Sequence, residues 1–106
     1  MTNALVEPLT VLGDPTRRAI FERLAEGPMA VGAIAAELPV SRPAVSQHLK
    51  VLKQAGLVID RPVANRRLYS LDPRGLEGLR TYFDRFWNDA LRAFATAADN
   101  PQEGRP

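Results

Sequence analysis

The stretch "SRPAVSQHLKVLKQAGLV", residues 41–58, carries the strongest structural signal in this chain. Its first serine is a favoured N-cap, and the proline two residues later fits the first turn of a helix. Apolar side chains then recur at intervals of four and three, which places them within about 40° of one another on a helix. The glycine near its end suits the residue after a helix C-terminus. The stretch predicts a capped amphipathic helix over residues 42–55, with Val45, Leu49 and Leu52 on its buried side.

The opposite side of this predicted helix is polar, and no aspartate or glutamate occurs from Ser41 to Ile59. An amphipathic pattern by itself indicates only a surface helix, but surface helices usually mix charges of both signs. Short hydrogen-bonding side chains and lysine can instead contact base edges in the major groove of DNA. The absence of acids therefore favours a helix that faces DNA.

The residues before this helix predict three further helices. Residues 31–38 place apolar side chains at i, i+3, i+4 and i+7, and a three-residue turn then leads into residues 42–55, a spacing typical of a helix-turn-helix. Asp14-Pro15 predicts the start of the second helix, with an aspartate cap followed by proline. A first helix carries Leu5, Leu9 and Leu12 and is bent or begins near Pro8.

After this helix, the spacing of the apolar residues changes from a helical to a strand-like pattern. The runs "LVIDRP" and "RRLYSL", joined by "VAN", predict a two-stranded hairpin with arginines at and beside its tip. Asp72-Pro73 repeats the cap-plus-proline start and opens a last long helix. The predicted fold is therefore mainly α with a small β-hairpin, in the order α-α-α-α-β-β-α. We expect one domain over residues 1–98 and a frayed tail at 99–106.

Composition narrows the class of protein. A chain of 106 residues with 45% apolar residues suits one small domain. It contains no cysteine, which excludes disulfides, thiolate metal sites and cysteine nucleophiles and favours a cytoplasmic location. No apolar run approaches the roughly 20 residues of a membrane span, and the N-terminus lacks a signal-peptide pattern.

Charge is concentrated in one third of the chain. The net charge is +2, yet residues 41–74 contain seven basic and two acidic residues and carry +5. A basic block indicates an anionic partner, although an arginine-rich surface that faces only solvent would give the same net charge.

Residues 9–71 resemble the ArsR-type winged helix-turn-helix repressors. The matching words are "LGDPTRRAIFERLAEGP" at 12–28, "SRPAVSQHLKVLKQAGLV" at 41–58 and "NRRLYSL" at 65–71. The resemblance implies an autoregulatory homodimeric repressor that occludes a promoter by binding an inverted repeat in double-stranded DNA. It implies that helix 42–55 enters the major groove and that the wing, residues 62–67, contacts the backbone or minor groove. By position, the implied DNA contacts are Ser41, Arg42, Pro43, Ser46, Gln47, Lys50, Arg66 and Arg67.

The last predicted helix carries more apolar side chains than so small a domain can cover, which indicates a partner surface. The alternative is that the first two helices cover them. The resemblance implies that the first and last helices pair across a two-fold axis. A small apolar effector among the aromatic rings is a further possibility, and a plain aromatic dimer core is the simpler one. The predicted dimer interface consists of Leu5, Leu9, Leu79, Phe83, Phe86, Trp87, Leu91 and Phe94.

The sequence departs from the metal-sensing members of this family. It lacks their cysteine pairs, and its single histidine, His48, lies in the helix predicted to face DNA. We therefore expect no metal and no cofactor. No Ser/His/Asp arrangement, nucleotide loop or carboxylate pair indicates an enzyme. A winged-helix module that binds protein, with no specific DNA target, remains the alternative, and salt-sensitive retention on heparin would argue against it.

Overall fold

A computed structural model describes residues 6–99 of the chain. The predicted order of elements is confirmed, with one short strand added between the second and third helices. The helices are α1 (Val6–Val11), α2 (Pro15–Leu24), α3 (Val31–Glu37), α4 (Arg42–Gln54) and α5 (Pro73–Asp99), and the strands are β1 (Met29–Ala30), β2 (Val58–Val63) and β3 (Arg66–Leu71). Leu5 and residues 100–106 lie outside the described residues, whereas Asp99, which the sequence assigned to the tail, lies in α5.

The strands form a three-stranded antiparallel sheet in the order β1-β3-β2, so the predicted two-stranded hairpin was incomplete. β1 pairs Met29 with Tyr69, and it was missed because two residues are too few to show an alternating pattern. β2 and β3 pair along their whole length, which leaves Ala64 and Asn65 as a two-residue turn. Ala64 adopts a positive φ of 57° there.

The core lies where α2, α3 and α4 meet the sheet. The predicted buried side of helix 42–55 is confirmed, since its three apolar side chains are fully buried. Each fully buried aliphatic side chain of this size contributes about 1.5–3 kcal/mol to stability. The buried apolar side chains are Val11, Ile20, Leu24, Ile34, Val45, Leu49, Leu52, Leu57, Val58 and Leu79.

All three predicted helix caps are present. Oδ2 of Asp14 accepts the backbone N–H of Arg17 at 2.9 Å, and Oγ of Ser41 accepts that of Ala44 at 3.2 Å. Oδ1 of Asp72 accepts the backbone N–H of Arg74 at 3.0 Å. Each cap satisfies a backbone donor that the first turn of a helix leaves free, which fixes where α2, α4 and α5 begin.

The C-terminus of α4 is closed by two backbone hydrogen bonds. The N–H of Leu57 donates to the carbonyl of Leu52 and the N–H of Gly56 to that of Lys53, both at 3.0 Å. Gly56 has a φ of +78°, a conformation that glycine adopts without a steric penalty. This closure turns the chain sharply into β2 and so places the wing beside α4.

α5 begins in backbone contact with this turn. A Cβ placed on Gly75 would lie 2.1 Å from the carbonyl oxygen of Gly56, a separation that no side chain permits. The absence of a side chain at position 75 thus lets the first turn of α5 rest directly on the end of α4.

Candidate nucleic-acid interface

α4 presents the side chains that the sequence assigned to DNA on its solvent face. Ser46, Gln47 and Lys50 are exposed, one turn or less from the buried stripe that anchors the helix. Arg42 and Pro43 are exposed in the first turn, and Ser41 is exposed although its hydroxyl is used as the cap. The helix is therefore anchored on one side and offers donors, acceptors and positive charge on the other.

The first turn of α4 and the wing face a common cleft, which the sequence did not predict. The cleft has a volume of about 240 Å³. The guanidinium carbon of Arg42 lies 3.5 Å from the point that a Cβ on Gly32 would occupy, so Arg42 extends over the start of α3. The residues lining the cleft are Ala30, Val31, Gly32, Arg42, Asn65, Arg66, Arg67 and Tyr69.

Two of the basic side chains are held by one carboxylate, a pairing that the sequence alone does not show. Asp60, on β2, accepts Nζ of Lys53 on Oδ1 at 2.7 Å and Nε of Arg67 on Oδ2. The hydrogen bond from Lys53 and then that from Arg67 hold the pKa of the Asp60 carboxyl below its ordinary value. The carboxylate is therefore ionised at neutral pH, and both pairs persist there.

The remaining basic side chains of this region divide by partner. Arg74 pairs with the buried Asp72 at 3.3 Å and so belongs to the start of α5. Within residues 6–99, four others form no ion pair with an acid and stay available to an anion: Arg42, Lys50, Arg61 and Arg66. All four are exposed on α4 or on the hairpin. The free positive charge therefore lies on the two elements that a helix-turn-helix and a wing would present to phosphates.

The arginines of α2 have a different role. Nε of Arg17 donates to the carbonyl of Val11 at 3.0 Å, and Nη1 of Arg18 donates to that of Leu12 at 3.1 Å. These bonds satisfy carbonyls at the end of α1 and fasten α1 to α2. They make Arg17 and Arg18 structural groups of the scaffold.

Most of the predicted interface on α5 is exposed in the single chain. Trp87 is 62% exposed and Phe94 75%, and Phe83, Phe86 and Leu91 are each at least half exposed. Within residues 6–99, the first two helices therefore do not cover this face. Leu79 lies in the core of the chain itself, 9% exposed, and Leu9 packs partly buried against the same core. Their contribution to an interface stays a prediction.

The described part of the chain presents neither a metal-binding cluster nor a helix suited to a membrane. Within residues 6–99, no three histidine, aspartate or glutamate side chains lie close enough together to hold a metal ion. His48 is partly buried on α4. None of the helices in that range is both long enough and apolar enough to cross a membrane.

Comparison of the sequence with known families and proteins agrees with this arrangement. A family model for a helix-turn-helix domain matches residues 12–61, from the end of α1 to β2. The HTH-type transcriptional regulator Rv2034 of Mycobacterium tuberculosis is 65% identical over 89 residues, which cover 84% of this chain and 83% of that protein. The transcriptional repressor SdpR of Bacillus subtilis is 39% identical over 66 residues, 62% of this chain and 73% of that protein.

Solved structures show the same fold. The ArsR-like transcriptional regulator from Rhodococcus sp. RHA1 superposes with a TM-score of 0.76 at 28% identity, covering 88% of each chain. A homodimeric winged helix-turn-helix DNA-binding domain from Mycobacterium bovis, described as a possible ArsR-family regulator, superposes with a TM-score of 0.67 at 26% identity. This superposition covers 81% of the present chain and 80% of the Mycobacterium bovis domain.

Proposed function

The chain belongs to the ArsR-type family of winged helix-turn-helix transcriptional regulators, and we propose that it is a homodimeric repressor of an inverted-repeat operator. One observation carries this proposal. The exposed face of α4 contains no acid, and its first turn shares a cleft with the arginines of the wing. A protein-binding module needs no such arrangement, so the comparisons and the geometry favour DNA.

The proposed roles follow from the chemistry of each exposed side chain. A helix about 10–12 Å in diameter fits the major groove, which is about 12 Å wide. Ser46 and Gln47 can donate to and accept from base edges, whereas Pro43 has no donor and can offer only apolar contact, as to a thymine methyl group. Lys50 and Arg66 supply phosphate contacts. Ser46 and Gln47 would thus select the DNA sequence, and Lys50 and Arg66 would supply the affinity.

The exposed side of α5 supports the homodimer. Five large apolar side chains on one helix face form a patch of the kind that soluble proteins cover with a partner. A two-fold contact along α5 sets two copies of α4 about one turn of DNA apart, roughly 34–36 Å. We assign Phe83, Phe86 and Trp87 to this contact rather than to a small apolar effector, since the contact alone accounts for their exposure.

Repression by occlusion is the mechanism we propose, because the related SdpR protein is named a repressor. The relatives are named as transcriptional regulators, which are not enzymes, and we propose that this chain likewise acts by binding alone in the cytoplasm. Residues 1–98 would form the single functional domain. Its own promoter is the first operator to test, since the resemblance implies autoregulation.

A mobility-shift titration with the DNA upstream of the chain's own gene tests this proposal. It is run at two salt concentrations with an excess of random competitor DNA. We expect a discrete complex that survives the competitor and weakens as salt rises. A complex that the competitor abolishes would leave only a generic affinity for polyanions and would contradict sequence-specific repression at this promoter.

A further inference from the structure

We propose that Asp60 is a positioning residue for DNA binding, which locks the wing against α4 by holding one basic side chain from each. This inference rests on the proposed function and names a residue that acts through others. Asp60 lies on β2, and its side chain is only 6% exposed. Its partners Lys53 and Arg67 are each 54% exposed and extend from it toward solvent.

The geometry joins three elements through one group. Lys53 lies in the last turn of α4, Asp60 on β2 and Arg67 on β3. Asp60 faces Tyr69 in the strand register and Arg67 faces Pro62, so Asp60 and Arg67 are diagonal neighbours on one face of the hairpin. Each carboxylate oxygen takes one partner. Movement of the wing away from α4 would therefore break at least one of these contacts.

The hairpin has few other attachments near its tip. From Arg61 to Arg67 every residue is exposed except Val63, which is half-buried. Its turn adopts a positive φ at an alanine, a conformation that costs about 1–2 kcal/mol per residue and adds no contact with the core. The Asp60 carboxylate is the point nearest the tip where a charged group ties the hairpin to α4.

The two pairs also orient the cations. Nε of Arg67 is engaged by Asp60, and its two Nη groups form no hydrogen bond within residues 6–99, so they remain as donors for a phosphate. Lys53 likewise keeps two of its three donors. Asp60 thus fixes the direction in which the Arg67 and Lys53 side chains approach the DNA. Asp60 itself does not contact the DNA.

The sign of the expected effect separates this role from simple electrostatics. A carboxylate beside a DNA-binding surface repels phosphate, so its neutralisation alone would raise the affinity for DNA. A positioning role predicts the opposite, because the neutral amide in Asp60→Asn releases the wing and the two cations. Positioning must outweigh repulsion for the affinity to fall.

The test compares Asp60→Asn with Glu22→Gln, which also removes one negative charge. Glu22 is an exposed acid of α2 and forms no ion pair within residues 6–99. The DNA is the duplex that the unmodified protein enriches from a random library. We expect Asp60→Asn to bind this duplex about tenfold more weakly, and Glu22→Gln to bind it as tightly as the unmodified protein or slightly more tightly. Equal or tighter binding by Asp60→Asn would overturn the proposal.

A double-mutant cycle separates positioning from a general loss of structure. In the Arg67→Ala background, Asp60→Asn should cost clearly less than it costs alone, because one of the two groups that Asp60 positions is gone. Full additivity of the two changes would overturn the proposal. Arg67 is exposed, so Arg67→Ala is expected to fold, and thermal unfolding of all four proteins checks this point.

Hydrogen exchange of the free protein supplies a measurement that needs no DNA. We expect Asp60→Asn to speed the exchange of amides in residues 58–71 while those of α4 stay protected. Unchanged exchange in the hairpin would overturn the proposal. If the unmodified protein enriched no duplex, the proposed function would fail, and the exchange data would still decide whether Asp60 holds the wing.

Discussion

At the scale of single residues, the basic block of residues 41–74 contains two kinds of cation. Lys53, Arg67 and Arg74 are held by acids, whereas Arg42, Lys50, Arg61 and Arg66 are free within the described residues. The sequence could predict the excess charge but not this division, because the pairing depends on the register of β2 with β3 and on the path of the chain after α4. Counting charges therefore overstates the number of cations that no acid holds.

Gln47 is expected to select the DNA sequence. Gln47→Ala should cost about 1–3 kcal/mol on the operator and little on random DNA, because glutamine can bond an adenine edge with both atoms of its amide. The measurement is a pair of fluorescence-anisotropy titrations with operator and random duplexes. Equal losses on both duplexes would show that the residue is not a base contact.

Gln54 offers a matched control for this change. It lies on the same exposed side of α4, about 10 Å further along the helix axis, whereas the first turns of such helices contact the bases. Gln54→Ala should leave both affinities unchanged.

Arg66→Ala should weaken binding to both duplexes alike. It should also lower the slope of log affinity against log salt concentration by about one, the contribution of one phosphate contact.

Gly75 is expected to tolerate no side chain. The Cβ in Gly75→Ala would meet the Gly56 carbonyl at 2.1 Å and force α5 away from the end of α4. We expect a loss of about 1–3 kcal/mol or more in the free energy of unfolding, measured by urea denaturation. Gly32→Ala, also in the first turn of a helix, meets only the Arg42 side chain at 3.5 Å and should be neutral or stabilising. Equal stability of the two variants would contradict the close contact.

At the scale of elements, the helices were predicted well because caps and periodic apolar residues are local signals. Ser41, Asp14 and Asp72 cap the helices that the sequence assigned to them. β1 was missed, since its two residues have a partner only in the folded sheet. The sequence showed the apolar stripe of α5. It could not show which of these side chains the rest of the chain covers, and Leu79 is the buried residue of α5 in the structure.

The outer face of α5 is expected to hold two copies of the chain together. Trp87→Glu places a charge in the middle of the exposed apolar patch and should shift the protein from dimer to monomer at micromolar concentration, because burial of an unpaired charge is unfavourable. Light scattering coupled to gel filtration measures the mass. Arg85→Gln, an equal change in charge about 160° around the helix, should remain dimeric. A monomeric mass for the unmodified protein would contradict the proposed dimer.

At the scale of the whole molecule, one small fold carries both the face proposed for the dimer and the helix proposed for DNA. The contact between Gly56 and Gly75 sets the first turn of α5 on the turn that ends α4, and so connects the helix proposed for the dimer to the helix proposed for DNA. A two-fold axis along α5 would then fix the spacing between two copies of α4. The spacing of the half-sites on DNA becomes a property of the fold.

Dimethyl sulfate footprinting of the bound duplex checks whether two α4 helices enter the major groove, since the reagent methylates guanine N7 in the major groove and adenine N3 in the minor groove. We predict two patches of protected guanine N7, related by a two-fold axis and about one helical turn, 10–10.5 base pairs, apart. Protection confined to the minor groove, a single patch, or no protection under saturating protein would contradict the insertion of two α4 helices into the major groove.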